Sequence, residues 1–111
     1  MKFAILSFSL IAYGAQAEVF KCPAVHQGAR LIGAGMHEGR QKEAELMGAS
    51  RKVPGGIDAD FGFKHGDVKW LACQYEPKTV RWYRVSLAAT RCELRQRGDA
   101  PGKVAATVRC N

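Results

Sequence analysis

Four cysteines, Cys22, Cys73, Cys92 and Cys110, constrain this chain most, because of what stands ahead of them. Met1-Lys2 is followed by an apolar run from Phe3 to Tyr13, then by Gly14 and the small-x-small triplet Ala15-Gln16-Ala17. A positive start, an apolar middle and a small-residue cleavage site are the three parts of a cleavable export signal. The run is too short to span a bilayer, which takes about 20 apolar residues. Cleavage after Ala17 makes residues 1–17 a leader and residues 18–111 the mature chain. All four cysteines lie in the mature part. In an oxidising compartment, an even count in a small domain reads as two disulfides. No pair has the C-x-x-C spacing of a zinc site, so neither a metal nor another cofactor is expected.

Removing 17 residues from 111 leaves 94, enough for a single domain with a modest core. Two disulfides at about 2–4 kcal/mol each are a large share of a net stability of about 5–15 kcal/mol. Cys22 follows Val19-Phe20-Lys21 and is not at the cleavage site, so it does not suit lipid acylation. A soluble protein in the bacterial periplasm is expected. The leader holds one of the 17 Lys and Arg, so the mature chain keeps 16 against 10 Asp and Glu, formally +6. An exported basic chain does not meet cytosolic nucleic acid. It meets anionic polymers, lipid headgroups or an acidic protein, unless the charge serves only solvation.

The C-terminal half alternates as strands do. Over Val68 to Tyr75, residues Val68, Trp70 and Ala72 share one face, and Lys69, Leu71, Cys73 and Tyr75 share the other. Glu76-Pro77-Lys78 is a turn, and Val80 to Leu87 alternates again, with Val80, Trp82 and Arg84 in phase. Thr90 to Gln96 points Cys92 and Leu94 one way. A loop at residues 98–102 leads to Lys103 to Cys110, where Val104, Ala106, Val108 and Cys110 are in phase. These four strands are expected to form an antiparallel meander with one apolar face. Cys92 and Cys110 then lie on the same face of adjoining strands, which favours that pair and leaves Cys22 with Cys73. Four cysteines permit three connectivities, so the other two stay open. Upstream, Ala29 to Met36 is read as a strand, Gly39 to Met47 as one short helix, Pro54-Gly55-Gly56 as a turn, and Ile57 to Lys64 as an edge strand. The fold class is mostly β, a small antiparallel sheet with at most one helix.

No catalytic set stands out. His26, His37 and His65 have no sequence neighbour that makes a known catalytic or ligand pattern. Asp58-Ala59-Asp60 with Asp67 lacks the ligand spacing and closing Glu of a calcium loop, and fits turn chemistry better. Paired cysteines leave no thiol nucleophile. Binding features are stronger. Trp70 and Trp82 fall on one side of adjacent strands, opposite the cysteine face, and Arg84 continues that side. Lys69, Arg81 and Arg95 are near in sequence. Trp and Arg are enriched at binding hot spots, so Trp70, Trp82, Arg81, Arg84 and Arg95 are candidate partner-binding residues. The plainer alternative is that the Trp pair packs under the N-terminal segment as a second small core.

Cys22-Pro23 behind a leader, then Trp70-Leu71-Ala72-Cys73-Gln74-Tyr75, then Cys92 and the near-terminal Cys110, resemble a family of small four-cysteine periplasmic proteins. Its members carry Cys-Pro near the mature N-terminus and a W-x-x-C-x-Y strand. The resemblance covers nearly all of the mature chain, with the middle region, Glu38 to Gly48, the most divergent. Some members are similar to immunity proteins that neutralise L,D-transpeptidase-like type VI secretion effectors acting on peptidoglycan. It implies a non-enzymatic periplasmic inhibitor of a cognate effector, and the basic charge of the chain suits a partner with an acidic patch. Two alternatives are an inhibitor of a lysozyme-like wall hydrolase and an envelope-binding module for anionic glycan or lipid.

Overall fold

Every regular element among the described residues is a strand. The computed structural model describes residues 17–98, 100 and 103–111. Residues 1–16 of the expected leader (residues 1–17) and most of the 98–102 loop lie outside that range. In chain order the strands are β1 (Glu18–Lys21), β2 (Val25–His26), β3 (Ala29–Glu38), β4 (Ala44–Glu45) and β5 (Ala49–Val53). They continue with β6 (Gly56–Gly62), β7 (Lys69–Tyr75), β8 (Thr79–Arg84), β9 (Arg91–Arg97) and β10 (Ala105–Cys110). All pairings are antiparallel. One sheet runs β1-β10-β9-β6-β5; the other runs β2-β3-β7-β8, with β4 added to the end of β3.

The strands expected in the C-terminal half are present, but they do not form one meander. β7 and β8 are a hairpin of the second sheet, and β9 and β10 are a hairpin of the first. After Arg84 the chain turns at Ser86 to Ala89, where the Ala89 amide donates to the Ser86 carbonyl, and crosses over. A single sheet with one apolar face has nothing to bury that face against; folding one hairpin onto the other supplies the cover. Alternation shows which face is buried but not which strand is the neighbour.

The core is the space between the sheets. Leu31, Met36, Leu71, Cys73 and Tyr75 face in from the second sheet, and Ala59, Phe61, Cys92, Leu94, Ala106, Val108 and Cys110 from the first. Burying such side chains contributes about 25 cal/mol per Å² of apolar surface. The disulfides are Cys22–Cys73 and Cys92–Cys110, the favoured pairing, with Cα separations of 5.7 and 4.0 Å. They have different jobs. Cys92 and Cys110 are direct cross-strand partners within one sheet. Cys22 continues β1 along β10, its amide donating to the Ala106 carbonyl at 3.0 Å, so its bond to Cys73 clamps one sheet to the other.

Other expectations change. Gly39 to Met47 is not a helix. Gly39 and Lys42 have φ of 106° and 62°, and the chain turns back so that β4 pairs with the end of β3. Apart from Lys42, residues 40–45 are exposed, so a helix there has no apolar face to bury. β6 is not an edge strand; it lies between β9 and β5. Its start is packed so closely that a Cβ at Gly56 would overlap the Gln96 carbonyl. The turn feeding it behaves as read: Pro54 and Gly55, with φ 77° at Gly55, join β5 to β6 in the pattern of a type II turn.

Candidate functional site

The two outer faces of the sandwich differ in kind. On the first sheet, β5, β6 and β9 put their outward side chains into an ion-pair ladder. Arg51 meets Asp58, Asp60 and Glu93 at 3.6, 3.1 and 3.9 Å. Arg91 meets Asp60 at 3.4 Å, Arg95 meets Glu93 at 3.3 Å and Arg97 meets Asp58 at 2.8 Å. The Arg97 hydrogen bond, with further help from Arg51 and Arg95, holds the Asp58 carboxyl below its ordinary 3.8. Each exposed pair contributes about 0.2–1 kcal/mol, and together they cancel most of the local charge.

Among the described residues the second sheet has no such ladder, only the single pair Arg30–Glu76 at 3.0 Å where β7 ends. Trp70 pairs with Arg84, Ala72 with Trp82, and His37 with Trp70, so strand phase places all five side chains on one side. Both indoles are half-buried, and Ala72 beneath them is 1% exposed. The turn after β3 folds over this face. Trp70 Nε1 donates to the Gly39 carbonyl at 2.8 Å, which fixes one indole. Lys42 Nζ lies 4.6 Å from the Trp70 ring centre and 5.3 Å from that of Trp82. Arg84 lies over Trp70 at 5.1 Å, and the His37 ring meets Trp82 edge-on at 4.9 Å. His37 Nδ1 is 3.1 Å from the Lys42 carbonyl. Among the described residues, neither Lys42 nor Arg84 has a carboxylate within 4.0 Å; the negative faces of the indoles hold them instead.

Of the five candidate residues, the structure therefore brings together Trp70, Trp82 and Arg84. Arg81 pairs with Cys73 and points to the opposite side, its guanidinium 5.0 Å from the Tyr83 ring. Arg95 is on the other sheet, in the ion-pair ladder. Lys69, next to Trp70 in sequence, is fully buried: its ammonium donates to the carbonyls of Asp67 at 2.9 Å and Leu87 at 3.4 Å, and burial lowers its pKa. Trp70 and Trp82 are half-buried and do not form a closed second core under the N-terminal segment. The pair faces outward, and the cover it has comes from the Gly39 to Lys42 turn. Lys42 and His37 complete the site and were not among the candidates.

A second cluster of titratable groups surrounds Lys69. Burial, then a hydrogen bond with Asp67, raises the Glu38 carboxyl. The Lys64 amide, donating at 2.8 Å, holds Asp67 low. The Glu18 carboxylate accepts from the Ser86 amide at 2.7 Å. These groups are spent on one another and on turn backbone. His26 packs against Tyr75, with ring centres 5.3 Å apart.

The motif residues have a structural explanation. Cys22 is bonded to Cys73, and the Tyr75 hydroxyl donates to the Pro23 carbonyl at 2.7 Å. Cys-Pro and W-x-x-C-x-Y are thus two halves of one clamp, whose third member, Trp70, points the other way into the candidate site. The two disulfides fit an oxidising compartment. No helix of the described residues is long and apolar enough to cross a membrane. Compared with family models, with curated proteins and with solved structures, the chain gives no match in any of the three.

Proposed function

We propose that this chain is a periplasmic immunity protein: a non-enzymatic inhibitor that docks an acidic patch of a wall-active, L,D-transpeptidase-like toxin and occludes its cleft. The observation that carries the reading is the face formed by Trp70, Trp82, Arg84 and Lys42, aromatic area with two cations that, among the described residues, have no carboxylate within 4.0 Å. Anchoring of the indoles by Gly39 and Lys42 reduces the ordering cost of docking. Cations of this kind steer an acidic partner and raise the association rate, as an antitoxin requires. The family resemblance of the Cys-Pro and W-x-x-C-x-Y motifs supports the same partner class.

The test is rescue. Co-expression with the product of the neighbouring gene, exported to the periplasm, should restore growth and yield a co-purifying complex. Trp82→Ala should weaken that complex by about 2 kcal/mol or more, roughly thirtyfold. Arg95→Ala, on the ladder of the other sheet, should leave it nearly unchanged. Growth arrest despite export, with no complex, rejects the proposal. The same cations favour one second reading, an envelope-binding module for anionic glycan or lipid. Its binding collapses with salt, whereas a desolvated aromatic contact persists. A lysozyme inhibitor fits less well, because such hydrolases are usually basic and a +6 chain repels them.

A further inference from the structure

β8 is the last strand of its sheet, and its register shows which of its backbone groups are uncommitted. The Val85 amide donates to the Lys69 carbonyl at 3.1 Å. Opposite residues of an antiparallel pair alternate between those that exchange hydrogen bonds and those that turn both groups away. Stepping back from Val85, residues Tyr83 and Arg81 face β7, and Arg84, Trp82 and Val80 turn their N–H and C=O groups outward. Among the described residues, no backbone or side-chain group outside the β7–β8 pair bonds to them. The side chains of the same three residues belong to the outer face that carries Trp70. The free edge and the aromatic-cationic face are therefore one continuous surface.

We infer that this edge takes up an extended, acidic segment of the partner protein as an added strand. This rests on the binding reading above and names the chemistry of the contact. The charge of the strand selects the occupant. Thr79-Val80-Arg81-Trp82-Tyr83-Arg84 holds two arginines and no acid, and neither arginine has a carboxylate within 4.0 Å among the described residues. A second copy of β8 would bring four arginines onto one short ladder, where like charges are unfavourable. An incoming strand with carboxylates at alternate positions places them beside Arg84 on the outer face or Arg81 on the inner one. Main-chain bonds to Val80, Trp82 and Arg84 supply affinity, and the Trp82 indole supplies the adjoining apolar contact.

The probe is a capped heptapeptide, Thr-Glu-Val-Glu-Thr-Glu-Val, titrated into the purified protein. Binding should slow amide hydrogen exchange at Val80, Trp82 and Arg84, and leave Arg81 and Tyr83, which are already bonded, unchanged. N-methylation of the peptide nitrogens that face β8 should weaken binding by about tenfold or more, since each buried unmade bond costs about that factor. N-methylation of the alternate nitrogens should be tolerated. Val80→Pro removes an outward donor without touching the β7 ladder, and should weaken the unmodified peptide to a similar degree. The lysine analogue of the peptide should not bind. Equal losses from both methylated sets, or binding without amide protection at β8, would overturn strand addition. The peptide assay contains no toxin, so its failure and a failed rescue are separate results.

Discussion

Tyr75 makes the last residue of the W-x-x-C-x-Y run a structural one. Its ring is fully buried, and its hydroxyl donates to the carbonyl of Pro23, the residue after the cysteine that Cys73 binds. Burial also pushes the phenol pKa up. Tyr75→Phe keeps the ring and removes the bond. It should lower the unfolding free energy by about 1–2 kcal/mol, seen as a lower urea midpoint with an unchanged slope. Lys69 gives a residue-scale prediction in pH. Burial puts its folded pKa below the ordinary 10.5, so between those two values the unfolded chain keeps a proton that the folded chain has released. Stability contributed through Lys69 therefore rises with pH across that window. Compared with Lys69→Met, the wild type should gain stability as pH climbs towards the ordinary lysine value of 10.5. Urea midpoints of the two proteins that run parallel over that range would contradict this. Tyr75 titrates in both and cancels.

At the scale of elements, alternation was a good guide where it was regular and one face was fully buried. Leu71, Cys73 and Tyr75 against Trp70 and Ala72 show this in β7, and the same phase placed Trp82 and Arg84 beside Trp70. It failed where the backbone departs from strict pleating. In β3 a bulge between Leu31 and Gly33 pushes Ile32 out, so Leu31 and Met36 both face in despite their odd spacing. β5 reads Ala-Ser-Arg-Lys-Val and has no apolar stripe, because an exposed edge strand needs none. Arg81 missed the site by one residue of phase and Arg95 by belonging to the other sheet. Lys42 and His37 were hidden because the turn that carries Lys42 folds back over strands far along the chain. The ion-pair ladder is an element-scale device with a testable acid limb. Asp58 is held below 3.8, so its contribution is present above that pH and is lost as pH falls through its folded value. Asp58→Asn should flatten the acid side of the stability curve, with the gap to wild type closing below pH 3.8 in acid titrations followed by circular dichroism.

For the whole molecule, the question is what keeps two thin sheets together around a small core. Within a sheet, hydrogen bonds already define the neighbours, so Cys92–Cys110 repeats a contact that the β9–β10 ladder makes. Between the sheets, among the described residues, there are side-chain packing, a hydrogen bond from the Ala34 amide to Gln96 Oε1 at 3.2 Å and one covalent tie, Cys22–Cys73. The two bonds also close loops of different length, with sequence separations of 51 and 18. In the chain-entropy account these restrict the unfolded chain by about 4 and about 3 kcal/mol. Cys22→Ser with Cys73→Ser should therefore destabilise more than Cys92→Ser with Cys110→Ser. Removing the inter-sheet tie should also have a signature that entropy alone does not give. The N-terminal strand, held by β10 on one side and by the Tyr75–Pro23 contact, becomes free to lift, which exposes the core edge at Phe20 and Tyr83. Binding of a hydrophobic dye at low urea, and early exchange of the Glu18 to Cys22 amides, should appear in the Cys22/Cys73 variant and not in the other. If both variants lose stability equally and neither binds dye, the inter-sheet clamp is not what holds the sandwich closed.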